Sequence, residues 1–284
     1  MTIPVVYISK TLRQSPQQGD YQVLLPSIVK QAEKNNTEVF LIGDDGNKEY
    51  CPDNHRHLSE YTEGVAEFEA LYLHLSTNPE DIEMFCFSRW FVLRNFLRKH
   101  NYEGALYLDN DILLFANAHS EFQKRKHLYC VLSGRTSGHS SYWTLEGITE
   151  FCDYLMEVYT EKGSYEFHRL AAHFHVRQKF GLPGGLCDMT LLEGFARYRC
   201  PHLVGECSVV SEDAWYYDHV IHESEGFEHK DGIKHFTFKN GIPFSTYLNL
   251  KKDIPFATIH FQGGNKIRIE KFCEMCNDSL ISHK

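Results

Sequence analysis

No stretch of this 284-residue chain approaches the roughly 20 consecutive apolar residues that a bilayer-crossing helix requires. Its first residues, Met1-Thr2-Ile3-Pro4-Val5-Val6-Tyr7, enter a short apolar run without the basic segment and cleavage site of a secretory leader. Positive charge is scarce as well. Lysine and arginine number 29 against 38 acids, a formal net charge of −9, which argues against a broad basic surface for nucleic acid or anionic lipid. A small anionic ligand stays compatible with that balance, because a local site overrides a global excess. Internal repeats, low-complexity tracts and linkers are missing too, so one domain is the simplest organisation. The nine cysteines are odd in number and follow no small-domain spacing, so a reduced, cytoplasmic protein is expected.

What is present is an ordinary globular composition, 42% hydrophobic and 24% charged. Aromatics, at 14%, are spread along the chain and favour a packed α/β domain over a repeat or a disordered segment. Residues 4–9 read as a buried strand, followed by a polar loop over 10–20. Residues 21–34 carry helical spacing at Val23, Leu24, Ile28 and Ala32, and residues 38–42 form a second apolar run before the turn Gly43-Asp44-Asp45-Gly46. Strand, helix and strand with short connections is the βαβ unit of a parallel sheet.

A second helix is expected from Asn78 as N-cap and Pro79 as first helical residue, with Cys86, Trp90, Leu93 and Leu97 on one stripe and Arg98-Lys99-His100 at its end. A third buried strand, 104–108, follows. Further on, a strand near 128–133, a helix over about 147–162 and another over 188–199 are expected. Asn240-Gly241 suits a type I′ hairpin turn, which needs two positive φ angles.

The segment richest in chemistry is Leu106-Tyr107-Leu108-Asp109-Asn110-Asp111-Ile112-Leu113-Leu114, where two acids interrupt a hydrophobic run at the C-terminal end of a strand. Carboxylates there are costly unless a cation or donors satisfy them, and ligands of open α/β sheets bind beyond such strand ends. A divalent metal bridging Asp111 to a diphosphate accounts for the pattern; a surface turn is the plain alternative. Near the C-terminus, Ala257-Thr258-Ile259-His260 leads into Gly263-Gly264 and Lys266. An imidazole beside a carboxylate favours Mn²⁺ over Mg²⁺, the glycines let backbone N–H groups approach phosphate, and Lys266 neutralises it. A histidine closing a strand before an ordinary turn is the alternative.

Asp109-Asn110-Asp111 after an apolar strand resembles the DxD motif of GT-A glycosyltransferases. His260, Gly263 and Lys266 are similar to the C-terminal HxxGxxK pattern of the glycogenin and galactosyltransferase-like group of that fold. The bulky tryptophan that follows the lysine in that group is replaced by Ile267. The resemblance implies an α/β, Rossmann-like GT-A fold: a mostly parallel central sheet flanked by helices in a single domain, with residues 1–115 binding nucleotide-sugar and 116–284 binding acceptor. It implies a metal-dependent hexosyltransferase using a UDP-sugar donor, Mn²⁺ or Mg²⁺, and a glycan or other hydroxyl acceptor, as in polysaccharide biosynthesis. Asp109, Asp111 and His260 would hold the metal. Asp109 and Asn110 would contact the donor, Gly263 and Lys266 the diphosphate, and Tyr7 and Ser9 with Asp44 or Asp45 the nucleobase pocket.

Two further candidates carry catalysis. Arg89 either reaches the pyrophosphate and stabilises the leaving group or bonds a carbonyl near the surface. Asp188, after Gly184-Gly185, is either the carboxylate facing the acceptor, as general base or charge stabiliser, or a helix N-cap. The polar run 133–143, from Ser133 to Trp143, reads as an acceptor-side loop, and the stretch 213–228 with Trp215, Tyr216 and Tyr217 as a lid or a solvated loop. His168, His173 and His175 match no standard metal spacing, and Cys273-x-x-Cys276 would need Cys200, His202 or Cys207 brought close to make a zinc site. The competing functions are a sugar-phosphate nucleotidyltransferase, which favours a Gly-rich basic loop after the first strand, and an inactive GT-A-like carbohydrate-binding protein. Lys10, Arg13 and a single glycine over 10–20 make a poor triphosphate cradle.

Overall fold

The structure, a computed structural model, describes residues 2–11, 21–134, 136–211 and 214–281. Its first strands are β1 (Val5–Ile8), β2 (Val39–Gly43), β3 (His55–His57) and β4 (Gly104–Leu108), followed by β5 (Ile112–Leu114), β6 (Cys130–Ser133), β7 (Ser137–Thr144) and β8 (Val204–Glu206). Seven of them make one sheet in the order β3-β2-β1-β4-β7-β6-β8, parallel from β3 through β4, with β7 antiparallel to both neighbours. All of β1 and β4 is buried, because both sheet faces are covered and continuous apolar runs result. Val5 and Tyr7 point into one core, Val6 and Ile8 into the other.

The helices are α1 (Leu25–Glu33), α2 (Val65–Leu71), α3 (Glu80–His100), α4 (Ala118–Gln123), α5 (Leu145–Thr160), α6 (Tyr165–Lys179), α7 (Asp188–Gly194) and α8 (Ile269–Ile281). Residues of α1, α4 and α8 enter the core with Val5 and Tyr7, and α3, α5 and α7 supply Trp90, Phe96, Phe151, Leu155 and Leu192 to the other. The remaining strands are β9 (Tyr216–Tyr217), β10 (His229–Lys230), β11 (Ile233–Lys234), β12 (Thr237–Lys239), β13 (Ile242–Tyr247) and β14 (Lys252–His260). β12, β13, β14 and β5 form a second sheet, which β9 joins along β14. The line expected near residue 115 falls after β5, and the seven-stranded sheet draws strands from both sides of it.

Several expectations shift. α3 begins at Glu80 with Pro79 in the cap position, while the Asn78 amide instead donates to Glu83 at 2.7 Å. The expected helix over 188–199 is α7 followed by a π turn at Phe195–Arg199. Within the run 133–143, Ser137 to Trp143 are strand and not loop. Seven of the eight residues of β7 are buried, in a strand between β4 and β6. Ser141 and Trp143 are paired within the strand, since Ser141 Oγ donates to Gly138 O at 2.9 Å and Trp143 Nε1 donates to Ser141 Oγ at 2.9 Å, whereas Ser140 Oγ is buried without a partner among the described residues. Tyr216 and Tyr217 are buried strand residues as well, and Tyr217 OH meets Tyr142 OH at 2.7 Å. Asp213 and Arg13 lie outside the described residues. The Asn240-Gly241 turn has φ of 52° and 76°, as a type I′ turn requires.

Candidate active site

Parallel pairing of β1 and β4 sets Ser9 and the Asp109-Asn110-Asp111 segment side by side at the C-terminal ends of these two central strands, where Asn110 Nδ2 donates to Ser9 Oγ at 3.2 Å. β5 then leaves antiparallel to β14, with Ile112 opposite His260, and Phe261 N donates to Asp111 O at 2.9 Å. This register joins two distant motifs. Asp111 Oδ1 lies 3.4 Å from His260 Nε2, and Asp111 Oδ2 lies 3.2 Å from Lys266 Nζ. His260 Nδ1 donates to the His219 carbonyl at 2.7 Å, since a carbonyl only accepts. The ring is thereby oriented with Nε2 toward Asp111.

Burial alone would raise the Asp111 pKa, but His260 and Lys266 outweigh it and hold the carboxyl well below the usual carboxylate range. Burial likewise works against the His260 charge, yet Asp111 takes the imidazole up to about 9. Asp111 Oδ1 is nonetheless buried without a hydrogen-bond partner among the described residues. An orphaned carboxylate oxygen facing an imidazole nitrogen suits a divalent cation, which commonly takes one or two carboxylates and completes its shell with substrate phosphate. The residues therefore fit such an ion. No three His, Cys, Asp or Glu side chains converge around one point among the described residues.

Asp109 is held elsewhere. Its Oδ1 accepts from Tyr107 OH at 2.5 Å and from Arg89 Nη1 at 2.7 Å. The other arm of Arg89, Nη2, donates to Asp188 Oδ2 at 2.6 Å, where Trp90 Nε1 also donates at 3.1 Å. Burial opposes the guanidinium charge, but Tyr107, Asp188 and Asp109 hold its pKa well above the ordinary value. In place of both readings of Arg89 from sequence, the structure shows an internal bridge between two acids, with the guanidinium Nε buried without a hydrogen-bond partner among the described residues. Asp188 stands at the first position of α7, with Cys187 as cap, and its Oδ1 accepts from Met189 N at 2.9 Å. Its side chain is 4% exposed, so both oxygens are occupied within the protein.

The expected nucleobase residues separate. Tyr7 is fully buried in the core beneath these strand ends, with its OH 3.5 Å from Ile112 O, and does not line a pocket. Ser9 is buried, and its carbonyl accepts from Asn47 Nδ2. Asp44 accepts from Thr11 N and Thr11 Oγ1, both at 2.7 Å, and so ties β2 to the chain leaving β1. Asp45 is 91% exposed, 3.4 Å from His57. Gly263 has φ of +61°, and a Cβ there or at Gly264 would meet nothing within 4 Å, so this backbone is open to an approaching anion.

The structure adds residues that the sequence reading missed. The buried His139 ring stacks on His260 with centroids 4.2 Å apart, and Ser137 Oγ bonds its Nδ1. Burial first, then His260 and His219, push its pKa well below the imidazole norm, so it is neutral. Asp218 Oδ2 accepts from His260 N at 3.0 Å. Only the position of Asp218 beside the aromatics of β9 hinted at it. His168, His173 and His175 are exposed along α6, and all nine cysteines are free.

No protein-family model matches the chain, and no curated protein matches it in sequence. Solved structures do align. The WbbM bifunctional glycosyltransferase matches over 97% of this chain and 49% of its own, at 11% identity and a TM-score of 0.51, so the chain spans about half of that protein. The galactosyltransferase LgtC, solved with donor and acceptor sugar analogues, matches over 97% and 96% at 13% identity and a TM-score of 0.47. Mouse xyloside xylosyltransferase 1 matches over 76% and 86% at 10% identity and a TM-score of 0.46. Among the described residues no helix is long and apolar enough to cross a membrane. The strand order and the WbbM superposition together assign the chain the α/β fold of GT-A glycosyltransferases.

Proposed function

We propose that the chain is a glycosyltransferase that moves a sugar from a nucleotide-diphosphate sugar, a UDP-sugar by default, to a hydroxyl of a glycan acceptor. The observation that carries this reading is the buried Asp111 Oδ1, without a hydrogen bond among the described residues and facing His260 Nε2 at 3.4 Å, with Lys266 on the other carboxylate oxygen. Asp111 and His260 would hold Mn²⁺ or Mg²⁺, with the imidazole favouring Mn²⁺. A bound ion supplies positive charge where the leaving diphosphate gathers negative charge. The fold, shared with a bifunctional glycosyltransferase, supports the same class.

The chain's own groups divide the work. Lys266 spends one of its three donors on Asp111 and has others for a diphosphate oxygen. The open backbone at Gly263 and Gly264 lets a phosphate approach closely. Arg89 fixes Asp109 and Asp188 relative to each other, which keeps both carboxylates oriented before substrate arrives. Asp188, with both oxygens held by Arg89, Trp90 and Met189, ties the start of α7 to α3. The test is calorimetric titration of UDP with and without Mn²⁺, repeated on Asp111→Asn. Binding that requires Mn²⁺ and weakens at least tenfold in a variant with unchanged melting behaviour is the expected result. Binding indifferent to both Mn²⁺ and the substitution, or no binding of any nucleoside diphosphate, would overturn the reading.

A further inference from the structure

His260 is gripped from one side by a single short segment, residues 218–221. Its backbone N–H donates to Asp218 Oδ2 at 3.0 Å, its carbonyl accepts from Ile221 N at 3.1 Å, and its ring Nδ1 donates to the His219 carbonyl at 2.7 Å. Three bonds from four consecutive residues define both the backbone and the ring of this one histidine. The segment is in turn pinned by Lys234, at the end of β11. Lys234 Nζ donates to Asp218 Oδ1 at 2.8 Å, to Val220 O at 2.6 Å and to Glu225 Oε2 at 2.6 Å, which uses all three of its protons. The Lys234 backbone N–H reaches Ile221 O at 2.9 Å. The Lys234 and Asp218 side chains are entirely buried.

A fully buried ion pair is a poor route to stability, because desolvation of both charges offsets their attraction and an apolar pair of similar volume does as well. Its geometric effect is specific, however: the carboxylate has two directed oxygens, one on the ammonium and one on the His260 amide. We propose that Asp218 and Lys234 are positioning residues that aim His260 Nε2 at Asp111. The inference rests on the proposed role of Asp111 and His260 as the cation site. A histidine that binds metal through one nitrogen ordinarily donates from the other to a fixed partner, and loss of such a partner costs about 10- to 100-fold in metal affinity. Here the fixed partner is a backbone carbonyl, His219 O, and the buried ion pair holds that backbone in place.

The experiment compares wild type, Lys234→Met and the neutral pair Asp218→Asn/Lys234→Met. The second keeps an acceptor for the His260 amide and leaves no charge at position 218, should the single variant fail to fold; Glu225, whose side chain is 22% exposed, keeps the Tyr216 hydroxyl. Val158→Ala, in α5 and remote from the site, controls for general loss of stability. Two quantities are read on each folded protein: Mn²⁺ affinity in the presence of UDP, and the His260 ring resonances of ¹⁵N-histidine-labelled protein without metal, assigned by their absence in His260→Gln. The expected result is a loss of about 10-fold or more in Mn²⁺ affinity with displaced or broadened His260 resonances in the Lys234 variants, and neither change in Val158→Ala. Affinity within twofold of wild type, with unmoved resonances, would overturn the proposal. Should wild type bind no Mn²⁺, the cation-site reading fails by itself, and the ring resonances still decide whether the ion pair positions His260.

Discussion

Arg89→Met tests the electrostatic logic of the site's floor. Arg89 bridges Asp109 and Asp188 with its side chain only 10% exposed, so its removal strands two carboxylates. Their losses are unequal. Asp109 is 28% exposed and keeps the Tyr107 hydroxyl, so water replaces part of what it loses. Asp188 is 4% exposed, keeps Trp90 Nε1 and Met189 N, and has little access to water. Breaking a buried pair from one side costs about 3–5 kcal/mol; partial rehydration of Asp109 places Arg89→Met near the lower end, about 3 kcal/mol. Neutralising the stranded acid removes most of that penalty, so Arg89→Met/Asp188→Asn is expected to be more stable than Arg89→Met alone, with a coupling of about 1.5 kcal/mol or more. Urea denaturation followed by circular dichroism on the four members of the cycle measures it. Additivity within about 0.5 kcal/mol would refute the argument that Arg89 is the partner that stabilises the buried Asp188 side chain.

Other outcomes follow from single contacts. The folded-state pKa of His260 is raised to about 9 from an ordinary 6.5, so its contribution to stability is complete below pH 6.5 and is lost as pH rises through about 9. The melting-temperature gap between wild type and His260→Gln should therefore be widest near pH 6 and narrow toward pH 10; a gap that widens with pH contradicts the pairing with Asp111. Gly147→Ala places a Cβ 2.1 Å from the Tyr129 carbonyl, so α5 must shift, at a cost of about 1–3 kcal/mol in calorimetric unfolding. A melt equal to wild type would show that α5 is not seated against Tyr129 as described.

The parts of this fold that local physics controls are legible in the order of the residues. β1 and β4 were legible because strands covered on both faces must be apolar throughout, and the Asn240-Gly241 hairpin because few residue pairs tolerate two positive φ angles. Asp109, Asp111, His260 and Lys266 stood out because acids, an imidazole and an ammonium at the ends of apolar runs need partners. Which partners they take is a tertiary matter. β5 pairing with β14 brings Asp111 to His260, and the packing of α7 on α3 brings Asp188 to Arg89, which also holds Asp109. β7 reads as a polar loop because its serines and Gly138 are what a crowded central strand admits: a Cβ at Gly138 would meet Trp90 at 2.6 Å. Asp218 falls in the stretch 213–228 that reads as a lid or a solvated loop, and only the folding of residues 218–234 onto β14 buries it together with Lys234. Burial and pairing between distant residues depend on how elements meet in space, and no local window of the chain carries that information.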